Sequence, residues 1–255
     1  MTRIRLVVAY DGTGFRGFQT QGSLRTVQGE LDRVLSRVFS REIRVVGASR
    51  TDAGVHAIGQ MIHFDVDHCP YSADHLRYIL RAHLPVDLTV PRVDIVPDTF
   101  HVRHDVTWKT YRYELDTRAV PDVFRARYAV HVPYSLNVRA MQVASHYLEG
   151  MHDFSSFCYV HAQQPDKVRE VYAFHVEERS DSLLLTVSGN GFLHNMVRIM
   201  AGTLIDVGRG RFQADDIQTM LGAKDRAKAG PTAPAKGLCL WQISYKPWPY
   251  LDETP

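Results

Sequence analysis

Between two predicted strands lies the segment Gly47-Ala48-Ser49-Arg50-Thr51-Asp52-Ala53-Gly54-Val55-His56-Ala57. Most of its residues are small, so another backbone or a bound molecule can approach it closely. Asp52 is its one carboxylate, and no other Asp or Glu lies within nine residues on either side. The carboxylate is either an accessible group for chemistry or a turn aspartate that accepts a hydrogen bond from its own backbone. The segment taken alone leaves both interpretations open.

The sequence on either side predicts alternating strands and helices. Ile4 to Tyr10 is a compact apolar run that predicts a strand. Apolar residues between 26 and 39 recur at spacings of three and four, which predicts an amphipathic helix of about four turns. The other elements predicted in this half are strands at 42–46, 60–64 and 88–96 and a helix that Ser72 caps and that ends near Leu84.

A second series of elements follows. It comprises strands at 106–116, 168–177, 183–188 and 238–245, and helices at 140–148, 192–207 and 215–221. This alternation predicts an α+β protein with a mixed sheet covered by helices. We expect two similar halves, residues 1–105 with the Asp52 segment and residues 106–255.

Arg198 is the only charged residue in the apolar stretch 192–200. Burying an unpaired guanidinium is very unfavourable, so this side chain needs a carboxylate or phosphate partner. A structural ion pair and a functional contact both satisfy that need.

Composition and charge exclude several classes of protein. The chain has 255 residues, 45% hydrophobic and 23% charged, as in an ordinary globular protein with a large core. No run approaches the roughly 18 apolar residues of a membrane span. The N-terminus reads as a strand without a secretory signal. The three cysteines lie far apart, so we expect a reduced, cytoplasmic protein.

Basic residues are concentrated at the start of the chain. The net charge is only +2, but residues 1–50 carry nine Arg against four acidic residues. Of the 30 basic residues in the chain, 24 are Arg, whose planar fork suits phosphate and stacks on bases. The distribution raises the hypothesis of a nucleic-acid partner, although GC-rich coding would give the same bias towards Arg.

The segment 47–57 closely resembles the catalytic motif of the tRNA pseudouridine synthase A family. Further matching motifs occur in the same order along nearly the whole chain: 10–13, 17–21, 26–29, 100–103, 109–113, 150–154, 192–198 and 237–240. The departures are minor, namely Ser49 where many members have Gly and Cys239 where an aromatic residue is frequent.

The resemblance implies a fold, an activity and a set of partners. The fold has two fused ferredoxin-like halves that form a central mixed, mostly antiparallel sheet flanked by helices. The activity is isomerisation of uridine to pseudouridine in the anticodon stem-loop of tRNA, at positions 38, 39 and 40. The enzyme would be a homodimer that binds tRNA and uses no metal, cofactor or membrane.

The resemblance also implies roles for four residues. Asp52 matches the catalytic aspartate, Arg198 the arginine paired with it, Tyr111 the uracil-stacking tyrosine, and Arg50 an arginine that helps to displace the target nucleotide. Without the resemblance, Tyr111 would be a strand residue packed beside Tyr113, and Arg50 a solvated loop charge.

These residue types suit the reaction. Breaking the N1–C1′ bond and joining C5 to C1′ needs an ionised carboxylate that adds to the nucleoside. A nearby arginine would lower the pKa of that carboxylate and keep it charged. The uridine must first leave its stack, and an aromatic face recovers part of that cost.

Two other functions, and a metal site, are less consistent with the sequence. A non-catalytic RNA-binding protein on the same fold would not need an ionised Asp52. A hydrolase or phosphotransferase with an aspartate nucleophile would show carboxylates for Mg²⁺ close to Asp52, and none is present. His152, Cys158 and His161 lack the tight spacing of a metal site, so no metal is expected.

Overall fold

The structure, a computed structural model, describes residues 1–161 and 165–249. In chain order its regular elements are β1 (Thr2–Tyr10), α1 (Val27–Val38), β2 (Val46–Gly47), β3 (His56–Val66), α2 (Ala73–His83), β4 (Leu88–Val96), β5 (Trp108–Asp116), β6 (Val130–His131), α3 (Val138–His146), β7 (Gly150–Asp153), β8 (Val168–Arg179), β9 (Ser182–Gly189), α4 (Met196–Gly208), α5 (Asp216–Ala223) and β10 (Leu238–Ser244). Within these ranges, no helix is both long and apolar enough to cross a membrane.

The chain forms two compact units, residues 1–108 with 239–255 and residues 109–238. In the first unit the strands are ordered β4-β1-β3-β10, with β2 at the side of β3. β1 runs antiparallel to both β3 and β4, whereas β10 is parallel to β3, with Cys239 opposite His56. Because β10 pairs in this way, the last strand of the chain belongs with its first half. The predicted division of the chain between residues 105 and 106 stays a prediction.

The two helices of the first unit begin at side chains that cap them. The Thr26 hydroxyl accepts the Gly29 N–H at 3.2 Å, and the Ser72 hydroxyl accepts the His75 N–H at 3.3 Å. Each bond satisfies an N–H that the first helical turn leaves without a partner. The buried face of α1 consists of Val27, Leu31, Val34 and Leu35. Both predicted helices are therefore confirmed.

In the second unit the strands are ordered β5-β9-β8-β7. These neighbours are antiparallel, and the short β6 adds a parallel pairing to β5. Helices α3, α4 and α5 belong to this unit, and α4 is buried along most of its length. Mixed but mostly antiparallel strands with helices in each unit confirm the predicted α+β class.

Two predicted elements are shorter in the structure. The strand expected at 42–46 is reduced to Val46–Gly47 because the backbone of Val45 pairs with α1 instead. Its N–H donates to Asp32 Oδ1 at 2.8 Å, and its carbonyl accepts from Gln28 Nε2 at 2.9 Å. The helix expected from 192 begins at Met196, because Asn195 adopts a left-handed conformation with φ of 61° that a right-handed helix cannot include.

Candidate active site

The loop between β2 and β3 holds Asp52 by the backbone on both sides of it. The Thr51 carbonyl accepts the Phe18 N–H at 3.0 Å, and the Asp52 carbonyl accepts the Val55 N–H at 3.1 Å. The buried Thr51 hydroxyl is also hydrogen-bonded to the Tyr10 hydroxyl at 2.7 Å. The side chain of Asp52 is half-buried. A carboxylate is thus presented from a main chain that has little freedom to move.

Two glycines near the start of the chain allow its backbone to lie in close contact with this loop. A Cβ on Gly12 would lie 2.0 Å from the Val55 carbonyl oxygen, and one on Gly17 would lie 2.9 Å from that of Thr51. Gly17 also has a φ of +89°, which L side chains rarely adopt. The motifs at 10–13 and 17–21 therefore pack against the Asp52 loop, although the sequence separates them by more than thirty residues.

Gln60 is a structural residue of this loop that the sequence analysis missed. Its side chain is fully buried on β3, where its Oε1 accepts the Ser49 N–H at 3.3 Å and its Nε2 donates to the Ser49 carbonyl at 2.7 Å. An amide side chain can replace both partners of a strand residue in this way. The available signal was a polar amide directly before the apolar residues Met61 and Ile62 of β3.

Arg50 is exposed and lies close to Arg103. The guanidinium of Arg103 donates from Nε and Nη2 to the Gly47 carbonyl, at 3.2 and 3.0 Å. Burial and the positive charge of Arg50 both lower the pKa of Arg103. The sequence analysis noted the motif at 100–103 but assigned Arg103 no role.

In the second unit, Tyr111 lies on β5 opposite Val187 of β9. Its side chain is 6% exposed, and its ring meets that of Phe192 edge to face, with centroids 5.2 Å apart. Tyr113 lies two residues further on the same strand, and its hydroxyl donates to the Pro234 carbonyl at 2.8 Å. Side chains two residues apart on a strand lie on the same side of the sheet, so the two tyrosines share one face of β5.

Arg198 occupies the first turn of α4, next to the left-handed Asn195. Its Nε donates to the Ala233 carbonyl at 2.8 Å and its Nη1 to the Asn195 side chain at 2.9 Å. The Ala233 N–H in turn donates to the Arg198 carbonyl at 3.0 Å. Its charge lowers the pKa of Tyr113, against the larger effect of burial, which raises it. Arg198 is half-buried.

The four predicted site residues fall into two groups. Asp52 and Arg50 share one loop of the first unit, and Tyr111 and Arg198 belong to the second unit, where both have Tyr113 as a neighbour. The pairing of Asp52 with Arg198 stays a prediction. Among residues 1–161 and 165–249, no three His, Cys, Asp or Glu side chains form a cluster that could hold a metal ion.

Comparison with known proteins adds independent evidence. A family model described as tRNA pseudouridine synthase matches residues 6–105 and 144–246. A protein of Brevibacillus brevis is 51% identical over 246 residues, covering 96% of this chain and 100% of that protein. One of Bacillus subtilis is 46% identical over 247 residues, covering 95% and 99%. One of Listeria monocytogenes is 42% identical over 249 residues, covering 96% and 100%. All three are named tRNA pseudouridine synthase A.

Proposed function

This chain belongs to the tRNA pseudouridine synthase family, and we propose that it acts on the anticodon stem-loop of tRNA, at positions 38, 39 and 40. The protein is an isomerase that converts uridine in tRNA to pseudouridine. Uridine and pseudouridine contain the same atoms, so the reaction requires no oxidant, reductant or second substrate. The choice of stem-loop is supported by motifs that match along nearly the whole chain.

Asp52 is the nucleophile in this proposal. Its backbone is held on both sides, so little reorganisation is needed before the carboxylate adds to the nucleoside. The N1–C1′ bond then breaks, the uracil turns, C5 bonds to C1′, and the bond between Asp52 and the nucleoside breaks. The proton lost from C5 is replaced by one taken up at N1, which leaves Asp52 as it began. The observation that carries this assignment is the half-buried carboxylate on a loop built from small residues.

Arg198 is the cation that keeps Asp52 ionised in this proposal. Two of its five N–H groups donate to Ala233 and Asn195, which limits the freedom of the guanidinium. A fixed positive charge near a carboxylate lowers the carboxylate pKa, and the effect is large where water is excluded. We assign Arg198 this electrostatic role and no part in proton transfer.

Tyr111 and Arg50 handle the displaced nucleotide. The edge-to-face contact with Phe192 fixes the Tyr111 ring, and a fixed aromatic face can stack on the uracil. Arg50 is exposed two residues before Asp52, and in this proposal its positive charge helps to displace the target nucleotide.

The assembly we propose is a cytoplasmic homodimer in which both subunits contact one tRNA. The Arg-rich first fifth of the chain supplies positive charge for the phosphates, and Cys69, Cys158 and Cys239 are free thiols. Light scattering of the purified protein checks the oligomeric state. A monomer at the working concentration would refute the dimer and leave the chemistry untouched.

The activity is tested with an unmodified tRNA transcript in the presence of a metal chelator. We expect pseudouridine at positions 38 to 40 wherever the transcript carries uridine there. A second transcript, with cytidine at those three positions, serves as the control and should stay unmodified. Pseudouridine mapped elsewhere in the first transcript would contradict the proposed stem-loop, although the isomerase activity would stand.

A further inference from the structure

The segment that carries Arg103 is held by the buried His63 and the half-buried Tyr245. The Val102 N–H donates to Nδ1 of His63 at 3.1 Å, and the Val102 carbonyl accepts the Tyr245 hydroxyl at 2.9 Å. Burial and the neighbouring arginines Arg3 and Arg103 lower the pKa of His63 to about 4. The imidazole is therefore neutral at physiological pH, and its Nδ1 can accept this hydrogen bond. The backbone at Arg103 consequently has a defined position.

One edge of the Arg103 guanidinium fastens the start of the Asp52 loop. Nε and Nη2 converge on the Gly47 carbonyl at 3.2 and 3.0 Å, and the next residue, Ala48, donates its N–H to Met61 at 2.9 Å. Gly47 itself cannot carry a side chain, because a Cβ would lie 2.3 Å from the Phe18 ring. Arg103 thus binds a main-chain position five residues before Asp52.

Arg103 and Arg50 are two neighbouring positive charges without a carboxylate partner among the described residues. The first unit contains thirteen arginines among its described residues, and eight of them lie within ion-pair distance of a carboxylate: Arg3, Arg5, Arg25, Arg33, Arg41, Arg44, Arg77 and Arg92. Arg50 and Arg103 are among the five that form no salt bridge with a described residue, together with Arg16, Arg37 and Arg81. Both are exposed, and Arg50 lies close enough for its positive charge to lower the pKa of Arg103, which burial also lowers.

We propose that Arg103 and Arg50 together bind one backbone phosphate of the tRNA, while Arg103 holds the Asp52 loop at Gly47. Two guanidinium groups held close without a carboxylate repel each other, and a phosphate between them removes the repulsion and accepts several charge-assisted hydrogen bonds. A phosphate bound by Arg103 is then connected to the Asp52 loop through the hydrogen bonds that Arg103 donates to the Gly47 carbonyl. The inference rests on the proposed function because the ligand is the tRNA substrate.

Substitution of Arg103 separates its two contacts. Arg103→Gln removes the charge, so we expect tRNA affinity to fall about tenfold, as for loss of a hydrogen bond to a charged group. The slope of log affinity against log salt should fall by about one, as for one lost phosphate contact. Arg103→Lys keeps the charge but not the fork, so it should retain most of the salt slope while the single-turnover rate falls.

The matched control is Arg77→Gln, because Arg77 is exposed in the same unit but pairs with Asp74 at 3.1 Å. It should leave both affinity and salt slope unchanged. Melting temperature is measured for all variants, since a purely structural Arg103 would lower it without changing the slope. An Arg103→Gln protein that binds tRNA with the parent's affinity and slope would overturn the proposal. Failure of the parent protein to form pseudouridine at positions 38 to 40 would instead count against the proposed function.

Discussion

Asp52→Asn separates the chemistry of the loop from the binding of tRNA. Asn keeps the shape of the side chain but is a poor nucleophile, so we expect turnover to be abolished. Affinity for tRNA should hardly change, because it comes mostly from phosphate contacts. The measurements are single-turnover pseudouridine formation and tRNA binding on the same preparation. Substantial turnover by protein shown by mass spectrometry to be undeamidated would remove Asp52 from its role.

Arg198→Met tests the cation assigned to Asp52. Met avoids leaving a half-buried charge unpaired, so the loss of stability should be smaller than the loss of activity. Without the cation the pKa of Asp52 should rise, and the acid limb of the pH–rate profile should shift to higher pH. Arg198→Lys keeps a positive charge, so its pH–rate profile should shift less than that of the Met variant. A Met variant with the parent's pH profile and rate would contradict the pairing.

Tyr111 is tested by two substitutions that distinguish base stacking from core packing. Tyr111→Phe keeps the aromatic face, so it should bind the displaced uridine nearly as the parent does. Tyr111→Ala should lose roughly 1–3 kcal/mol of stacking. If the ring only fills the core, Ala should lower the melting temperature through a cavity, and turnover should fall only with the folded fraction. An Ala variant that is folded and as fast as the parent would exclude Tyr111 from the active site.

Helix α4 owes its position to the absence of a side chain at Gly202. A Cβ there would lie 1.9 Å from the Pro231 carbonyl oxygen, so Gly202→Ala forces α4 away from the 230–233 segment that also bonds Arg198. Alanine favours a helix by up to about 1 kcal/mol, whereas overpacking costs about 1–3 kcal/mol. We therefore expect a lower melting temperature and a slower reaction.

Gly222→Ala is the matched control for that prediction. Gly222 also lies within a helix, α5, but a Cβ there meets no atom within 4 Å. It should be neutral or slightly stabilising. Equal melting temperatures for the two variants would show that α4 can shift without cost.

The buried His63 makes folding of the protein sensitive to acid. Its pKa in the folded state is about 4, below the ordinary 6.5, so the folded protein binds fewer protons than the unfolded chain between these values. The free energy of unfolding is then undiminished above about pH 6.5 and falls as the pH drops towards 4. The amide oxygen of Asn can accept the Val102 N–H, so the free energy of unfolding of His63→Asn should fall less over this pH range. Urea unfolding between pH 7 and 4.5 measures the difference, and parallel curves for the two proteins would contradict it.

Local sequence pattern was sufficient to predict most of the helices and strands and the resemblance to the family. The spacing of Val27, Leu31, Val34 and Leu35 predicted α1, and the hydroxyls of Thr26 and Ser72 marked where two helices begin. These features depend on residues within about one helical turn of each other, which is why sequence periodicity reveals them. The motif around Asp52 could also be recognised, because its residues are adjacent in the sequence.

Contacts between distant residues decided the rest. The strand expected at 42–46 is shortened to Val46–Gly47 because side chains of α1 bond the backbone of Val45, and α4 begins late because Asn195 adopts a left-handed conformation. Gln60 and Arg103 reach the Asp52 loop from 11 and 56 residues away along the chain. A hydrogen bond over such a separation depends on how the backbone is folded, and neighbouring residues carry no signal of it. The residues of the family motif at 47–57 could therefore be read from the sequence, whereas the groups that hold its loop in place became visible only in the folded chain.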